Sequence, residues 1–182
     1  MWTALAIVLI ALLAALVTLV LIARCFRVVR VVGYSMEPTL HDGEQLLMLR
    51  NIFQSTLRHE QIVTLDWTAM LDGDIRQIPG VETAKPGVKR LFGLPGDWIW
   101  IPADNKEKTT RRTTPGENIP EGFRQLQVPP GHCFLSCDNT AHGSDSRQWG
   151  CLPLRAISGV MVAKLNNRTG QQSSTVNPPH YR

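Results

Sequence analysis

Val88-Lys89-Arg90-Leu91-Phe92-Gly93-Leu94-Pro95-Gly96-Asp97-Trp98-Ile99-Trp100-Ile101 sets two strand-sized apolar runs on either side of a Pro-Gly-Asp turn. Neither run is long enough for a stable helix. The turn chemistry is specific, since proline presets φ, glycine accepts a positive φ and aspartate bonds its own backbone. The same pattern continues outward in both directions. Short apolar runs recur at Phe26–Val32, Gln45–Leu49, Gln61–Leu65, His132–Ser136 and Ile157–Leu165. Asp42-Gly43, Asp72-Gly73 and Pro129-Pro130-Gly131 punctuate them. No segment between these runs carries a long apolar period of 3.6, so alternating β and α units are excluded and a mainly β domain is expected.

The first residues obey a different rule. Met1 to Ala23 contain no charged residue and consist largely of Leu, Ala, Ile and Val. Roughly 20 apolar residues cross the hydrocarbon core as a helix. No basic residue precedes the run, and it exceeds the ~7–15 residues of a secretory h-region, so it reads as a retained transmembrane anchor. Arg24, Arg27 and Arg30 follow it, and the positive-inside tendency taken alone would hold the next domain in the cytoplasm. The organisation expected is therefore an anchor over 1–23, a domain over 24–165 and a tail over 166–182. Residues 103–122 are polar and rich in Pro and Gly, as in an exposed insertion, and the tail has almost nothing to bury.

The 182 residues carry a formal net charge of +4. The basic residues are dispersed and no aromatic residues interleave with them, which favours a membrane-lipid surface over nucleic acid. The four cysteines, at 25, 133, 137 and 151, form no CxxC pair, so neither a metal nor any other cofactor is expected. Cys137 and Cys151 bracket a polar loop, and a disulfide there would clamp its ends, with Cys133 as the competing partner.

Three segments carry chemistry, in a telling order. Gly33-Tyr34-Ser35-Met36-Glu37-Pro38-Thr39-Leu40 sets a serine on a constrained turn just past the span. Lys89 and Arg90 are adjacent on a strand, so they point to opposite faces. One of them is expected to turn inward, and lysine is the one that neutralises readily when buried. Cys137-Asp138-Asn139-Thr140-Ala141-His142-Gly143-Ser144-Asp145-Ser146-Arg147-Gln148-Trp149-Gly150 is loaded with short polar side chains that build rigid turns.

Together these blocks resemble the type I signal peptidase family, the serine–lysine peptidases of bacterial leader peptidases and mitochondrial inner-membrane peptidases. The likeness runs from the anchor to about Leu165, with His59–Leu65 as a weaker block between the first two. It implies a coiled β-sheet or barrel-like catalytic domain behind one membrane helix. It also implies a membrane-bound enzyme cutting signal peptides from exported pre-proteins after a small-x-small sequence. Ser35 would be the nucleophile and Lys89 the general base. Met36, Asp145, Ser146 and Arg147 would shape the site, and Asp138 and Asn139 would hold the loop. The Ser35 N–H would be an oxyanion donor.

Two departures stand out. Cys137 replaces a glycine, and Gly143 stands where many members have a serine that bonds the lysine, leaving Ser144 or a water to substitute. A free lysine titrates near ~10.4 and is a poor base, but burial lowers that value by several units. No histidine or metal is then required. The coupling to a signal peptide requires the domain on the extracytoplasmic face of a plasma membrane or the equivalent face of a mitochondrial inner membrane. The alternative is an impaired, membrane-tethered binding protein or chaperone on the same scaffold. No oligomeric partner is assigned.

Overall fold

The computed structural model describes residues 2–50, 54–66, 87–103, 110–140 and 143–165. The expected tail at 166–182 and part of the expected insertion, 104–109, lie outside the described residues.

The N-terminal apolar run forms α1, Trp2–Arg24, with none of its residues buried against the rest of the chain. At 1.5 Å per residue its 23 residues extend about 34 Å, long enough to cross a hydrocarbon core. It is the helix among the described residues that is long and apolar enough for a membrane span. Only Cys25 separates it from β1, Phe26–Arg30. That joint is bonded on both sides, with Cys25 N–H donating to Ile22 O (2.9 Å) and Arg50 N–H donating to Cys25 O (2.6 Å).

The domain is built on a seven-stranded antiparallel sheet. Its remaining strands are β2 (Gln45–Leu49), β3 (Ile62–Leu65), β4 (Val88–Gly93), β8 (His132–Ser136), β9 (Leu152–Pro153) and β10 (Ile157–Leu165). A second, three-stranded sheet holds β5 (Trp98–Pro102), β6 (Arg111–Thr113) and β7 (Phe123–Gln127). The large sheet runs β1-β2-β10-β3-β4-β8-β9 and the small one β6-β5-β7. The last long strand therefore lies between β2 and β3. Its neighbour β3, between β10 and β4, is buried at all four of its positions. The register shifts between Met161 and Ala163, between Ile157 and Gly159, and between Leu91 and Gly93. Such irregularities bend a strand and curl the sheet.

Three apolar clusters fill the interior. Val63, Leu65, Leu91, Leu135 and Leu152 anchor the first, Val31, Met36, Leu40, Leu46 and Met48 the second, and Ile99, Ile101, Val128 and Phe134 the third. The two runs flanking the Pro-Gly-Asp turn thus become β4 and β5 in different sheets, and the turn is the corner between them. The described residues of the insertion, 110–122, are exposed or half-buried, and the only strand they contribute is β6. The bridge between Cys137 and Cys151 does not form, and all four cysteines are free. Cys151 instead packs against the third cluster.

Candidate active site

Ser35 lies on the turn that follows β1. Gly33 enters that turn at φ +88°, a conformation L side chains rarely adopt, and its N–H donates to Asp42 Oδ1 at 2.8 Å. Glu37 N–H donates to Tyr34 O (3.2 Å) and Leu40 N–H to Met36 O (2.9 Å), closing one helical turn around the serine. Met36 and Leu40 are four residues apart and both 1% exposed, so they enter the second cluster together. Ser35 is left half-buried at the edge of that cluster.

Lys89 and Arg90 turn opposite ways, as adjacent strand residues must. Lys89 is 6% exposed. Its Nζ lies 3.0 Å from Ser35 Oγ and 5.8 Å from the centroid of the Trp149 ring. Arg90 reaches the other way and forms a bidentate pair with Asp138, Nε to Oδ1 at 2.7 Å and Nη2 to Oδ2 at 2.6 Å. It also donates to the Glu60 carbonyl at 2.8 Å. The pair links β4 to the start of the final loop. Asn139 continues the link, its N–H donating to Ser35 O at 2.9 Å.

Burial opposes ionisation of Asp138 as the largest single effect, but hydrogen bonds from Arg90 and Thr39, with the Arg90 charge, hold its carboxyl below the usual range. In turn, the Asp138 hydrogen bond raises Arg90 above its ordinary value against the opposing cost of burial. A carboxyl with a depressed folded value contributes stability that is complete above its unfolded value and lost as pH falls through the folded one. Acidification from neutral pH through the carboxylate range is therefore expected to weaken the fold. Asp138→Asn is expected to flatten that dependence, as read from denaturation midpoints of both proteins between pH 7 and pH 3.

The other predicted loop residues brace the site without reaching the serine. Asp145 is fully buried and caps α2, Ser146–Trp149. Its carboxylate accepts from Cys137 N–H (2.8 Å), Arg147 N–H (3.0 Å), Arg147 Nε (2.9 Å) and Arg147 Nη2 (2.8 Å). Gln148 Oε1 accepts from Asp145 N–H at 2.8 Å and completes a capping box. Ser146 Oγ accepts from Leu135 N–H at 3.0 Å, which pins α2 to β8. Ser144 is exposed, and its carbonyl enters the site by accepting from Cys137 Sγ at 3.3 Å.

Two residues near the lysine were not assigned to the site from sequence. They are Trp149, whose ring centroid lies 5.8 Å from Lys89 Nζ, and Cys137, whose thiol donates to the Ser144 carbonyl at 3.3 Å and meets Ser35 at Gly143. The signal for Cys137 was its place immediately before Asp138. Among the described residues, no group of three or more His, Cys, Asp or Glu side chains is arranged to hold a metal ion.

A hydroxyl against a buried amine beside a pinned polar loop is suited to nucleophilic chemistry. A family model described as signal peptidase, peptidase S26, matches residues 2–165. The chain belongs to this family. Among its relatives, mitochondrial inner membrane protease subunit 1 of Schizosaccharomyces pombe is 29% identical over 146 residues, 77% of this chain and 73% of that protein. Signal peptidase I of Bacillus licheniformis is 28% identical over 150 residues, 74% of each. A crystal structure of a signal peptidase I from Enterococcus faecalis aligns at 19% identity over 58% of this chain and 96% of that one, with a TM-score of 0.37. Membership in peptidase S26 supports a signal peptidase function and, with it, a serine peptidase.

Proposed function

We propose that the chain is a membrane-bound signal peptidase working through Ser35 and Lys89. The observation that carries the reading is the 3.0 Å approach of Lys89 Nζ to Ser35 Oγ across a chain separation of 54 residues. Lys89, acting in its uncharged form, takes the hydroxyl proton as Ser35 Oγ attacks the scissile carbonyl. The oxyanion that forms is met by the Ser35 N–H, and such a pre-placed donor is typically worth ~10²–10³ in rate. Collapse expels the amine of the mature protein, which takes the proton from Lys89. Water then enters by the same base and releases the signal peptide from the acyl-enzyme.

Met36 anchors the nucleophile turn in the core. Asp138, Asn139, Asp145, Ser146 and Arg147 hold the final loop against it, and Ser144 contributes its carbonyl. The substrates are pre-proteins with small-x-small cleavage sites, a preference that membership in the family implies and that needs pockets excluding larger side chains by clash. α1 is the anchor, residues 24–165 are the catalytic domain, and the site faces the extracytoplasmic side.

The arginines that follow α1 are compatible with this orientation, because long domains translocate largely regardless of flanking charge.

Purified enzyme in detergent is expected to cut a model pre-protein after its small-x-small site. Orientation is tested on sealed right-side-out vesicles, where added protease is expected to digest the domain. Full protection there would reverse the orientation.

A further inference from the structure

We propose that the hollow lined by Arg27, Arg50 and Arg155 binds a phosphate group at the foot of α1, level with the lipid headgroups. The hollow measures about 350 Å³, and Asp66 is the acidic residue among the described ones that line it. One aspartate offsets at most one of the three guanidinium groups, so the hollow carries a net positive charge.

Its place follows from strand register. β1 begins, β2 ends, β3 ends and β10 begins at the same end of the large sheet, since Phe26 pairs with Leu49, Leu49 with Val160 and Leu65 with Ile157. α1 leaves the domain from that end, through Cys25 alone. Arg27 is the second residue of β1, Arg50 follows β2, Asp66 follows β3 and Arg155 precedes β10. A helix that spans the hydrocarbon core ends where headgroup phosphates begin, and anionic lipids attract basic residues held there.

Arg27 is the group that calls for an anion. It is half-buried, and its Nη2 lies 3.3 Å from Ser158 Oγ and 3.5 Å from Thr64 Oγ1. Its Nε is buried and has no hydrogen-bond partner among the described residues. Among those residues no carboxylate pairs with Arg27 or with Arg50. A sequestered charge met only by neutral hydroxyls is incompletely compensated. A phosphate supplies that compensation, because its oxygens match the planar fork of a guanidinium. Arg50 is exposed and lines the same hollow, which adds a second fork. Its backbone N–H is tied to Cys25 O at 2.6 Å, so a phosphate held by Arg50 would brace the joint between helix and sheet. The position favours the phosphodiester of an anionic lipid over free phosphate, and experiment separates the two.

Full-length protein in neutral-detergent micelles is titrated with phosphatidylglycerol, with diacylglycerol of the same chains, and with inorganic phosphate, all at fixed ionic strength. The denaturation midpoint is followed, since a ligand that binds only the folded state raises it with concentration. Phosphatidylglycerol is expected to raise the midpoint, and diacylglycerol, which lacks phosphate, is not. Arg50→Gln is expected to need about fivefold more phosphatidylglycerol for the same rise, and Arg27→Gln more still. If Arg27→Gln melts early, Arg50→Gln and Arg155→Gln carry the comparison. A rise with the lipid alone assigns the site to a headgroup; a rise with inorganic phosphate too, lost in the same variants, assigns it to phosphate in general. The inference is overturned if neither phosphate ligand moves the midpoint, if diacylglycerol moves it as far as phosphatidylglycerol, or if the arginine variants respond as the parent does. None of these readouts depends on the serine–lysine chemistry.

Discussion

Ser35→Ala is expected to bring pre-protein cleavage to background, a loss of at least about 10⁴-fold in kcat, with the chain still folded and in the membrane fraction. The half-buried serine packs at the rim of the second cluster, and removing one oxygen leaves Met36 and Leu40 in place. Lys89→Ala is expected to be as inactive, since no second base lies within reach of Ser35 Oγ in the contacts described. Lys89→Arg separates charge from base function. An arginine keeps the positive charge but cannot give up its proton, so this variant should be inactive as well. The measurement is single-turnover cleavage by purified protein, with circular dichroism to establish folding. Full turnover by well-folded Lys89→Ala would remove the lysine from the mechanism.

The largest stability effect is expected at a residue that never touches the serine. Asp145→Ala removes the acceptor of four hydrogen bonds and leaves the Arg147 side chain, 8% exposed, without its carboxylate. Removing one partner of a buried, hydrogen-bonded pair costs about 3–5 kcal/mol, because the charge left behind cannot be rehydrated in place. Loss of the α2 cap adds about 1 kcal/mol. The denaturation midpoint in detergent should fall accordingly, and cleavage should fall with it as the Cys137 backbone is released. Asp145→Asn keeps one acceptor oxygen for the cap and should fall in between. A midpoint for Asp145→Ala within error of the parent would mean that the final loop is held elsewhere.

The mainly β architecture was legible because apolar strand runs and turn residues alternate, and the runs at 45–49 and 157–165 coincide with β2 and β10 to the residue. β6 and β7 escaped notice for a physical reason. Arg111-Arg112-Thr113 and Phe123–Gln127 bury none of their residues fully, so neither shows an apolar run. Pairing to β5, itself buried through Ile101 and Pro102, holds them extended. β9 spans two residues and carries no periodicity.

At the site, the opposite facing of Lys89 and Arg90 follows from strand geometry alone. The partner of Arg90 does not, because the pair with Asp138 depends on a register between β4 and β8 that sets Arg90 opposite Ser136. The meeting of Cys137 and Ser35 at Gly143 depends on the path of the final loop, which adjacency in sequence does not encode. Spacing suggested a covalent clamp from Cys137 to Cys151. The fold instead directs one sulfur to the Ser144 carbonyl and the other to the third cluster.

With a single residue between α1 and β1, and that residue bonded to both sides, the joint has no slack. In a bilayer the depth at which the helix rides would then fix how high the cutting serine stands above the lipid, much as a keel sets a boat's draft. For the peptidase proposed, bilayer thickness would become a ruler for the distance between a signal's greasy segment and the bond to be cut.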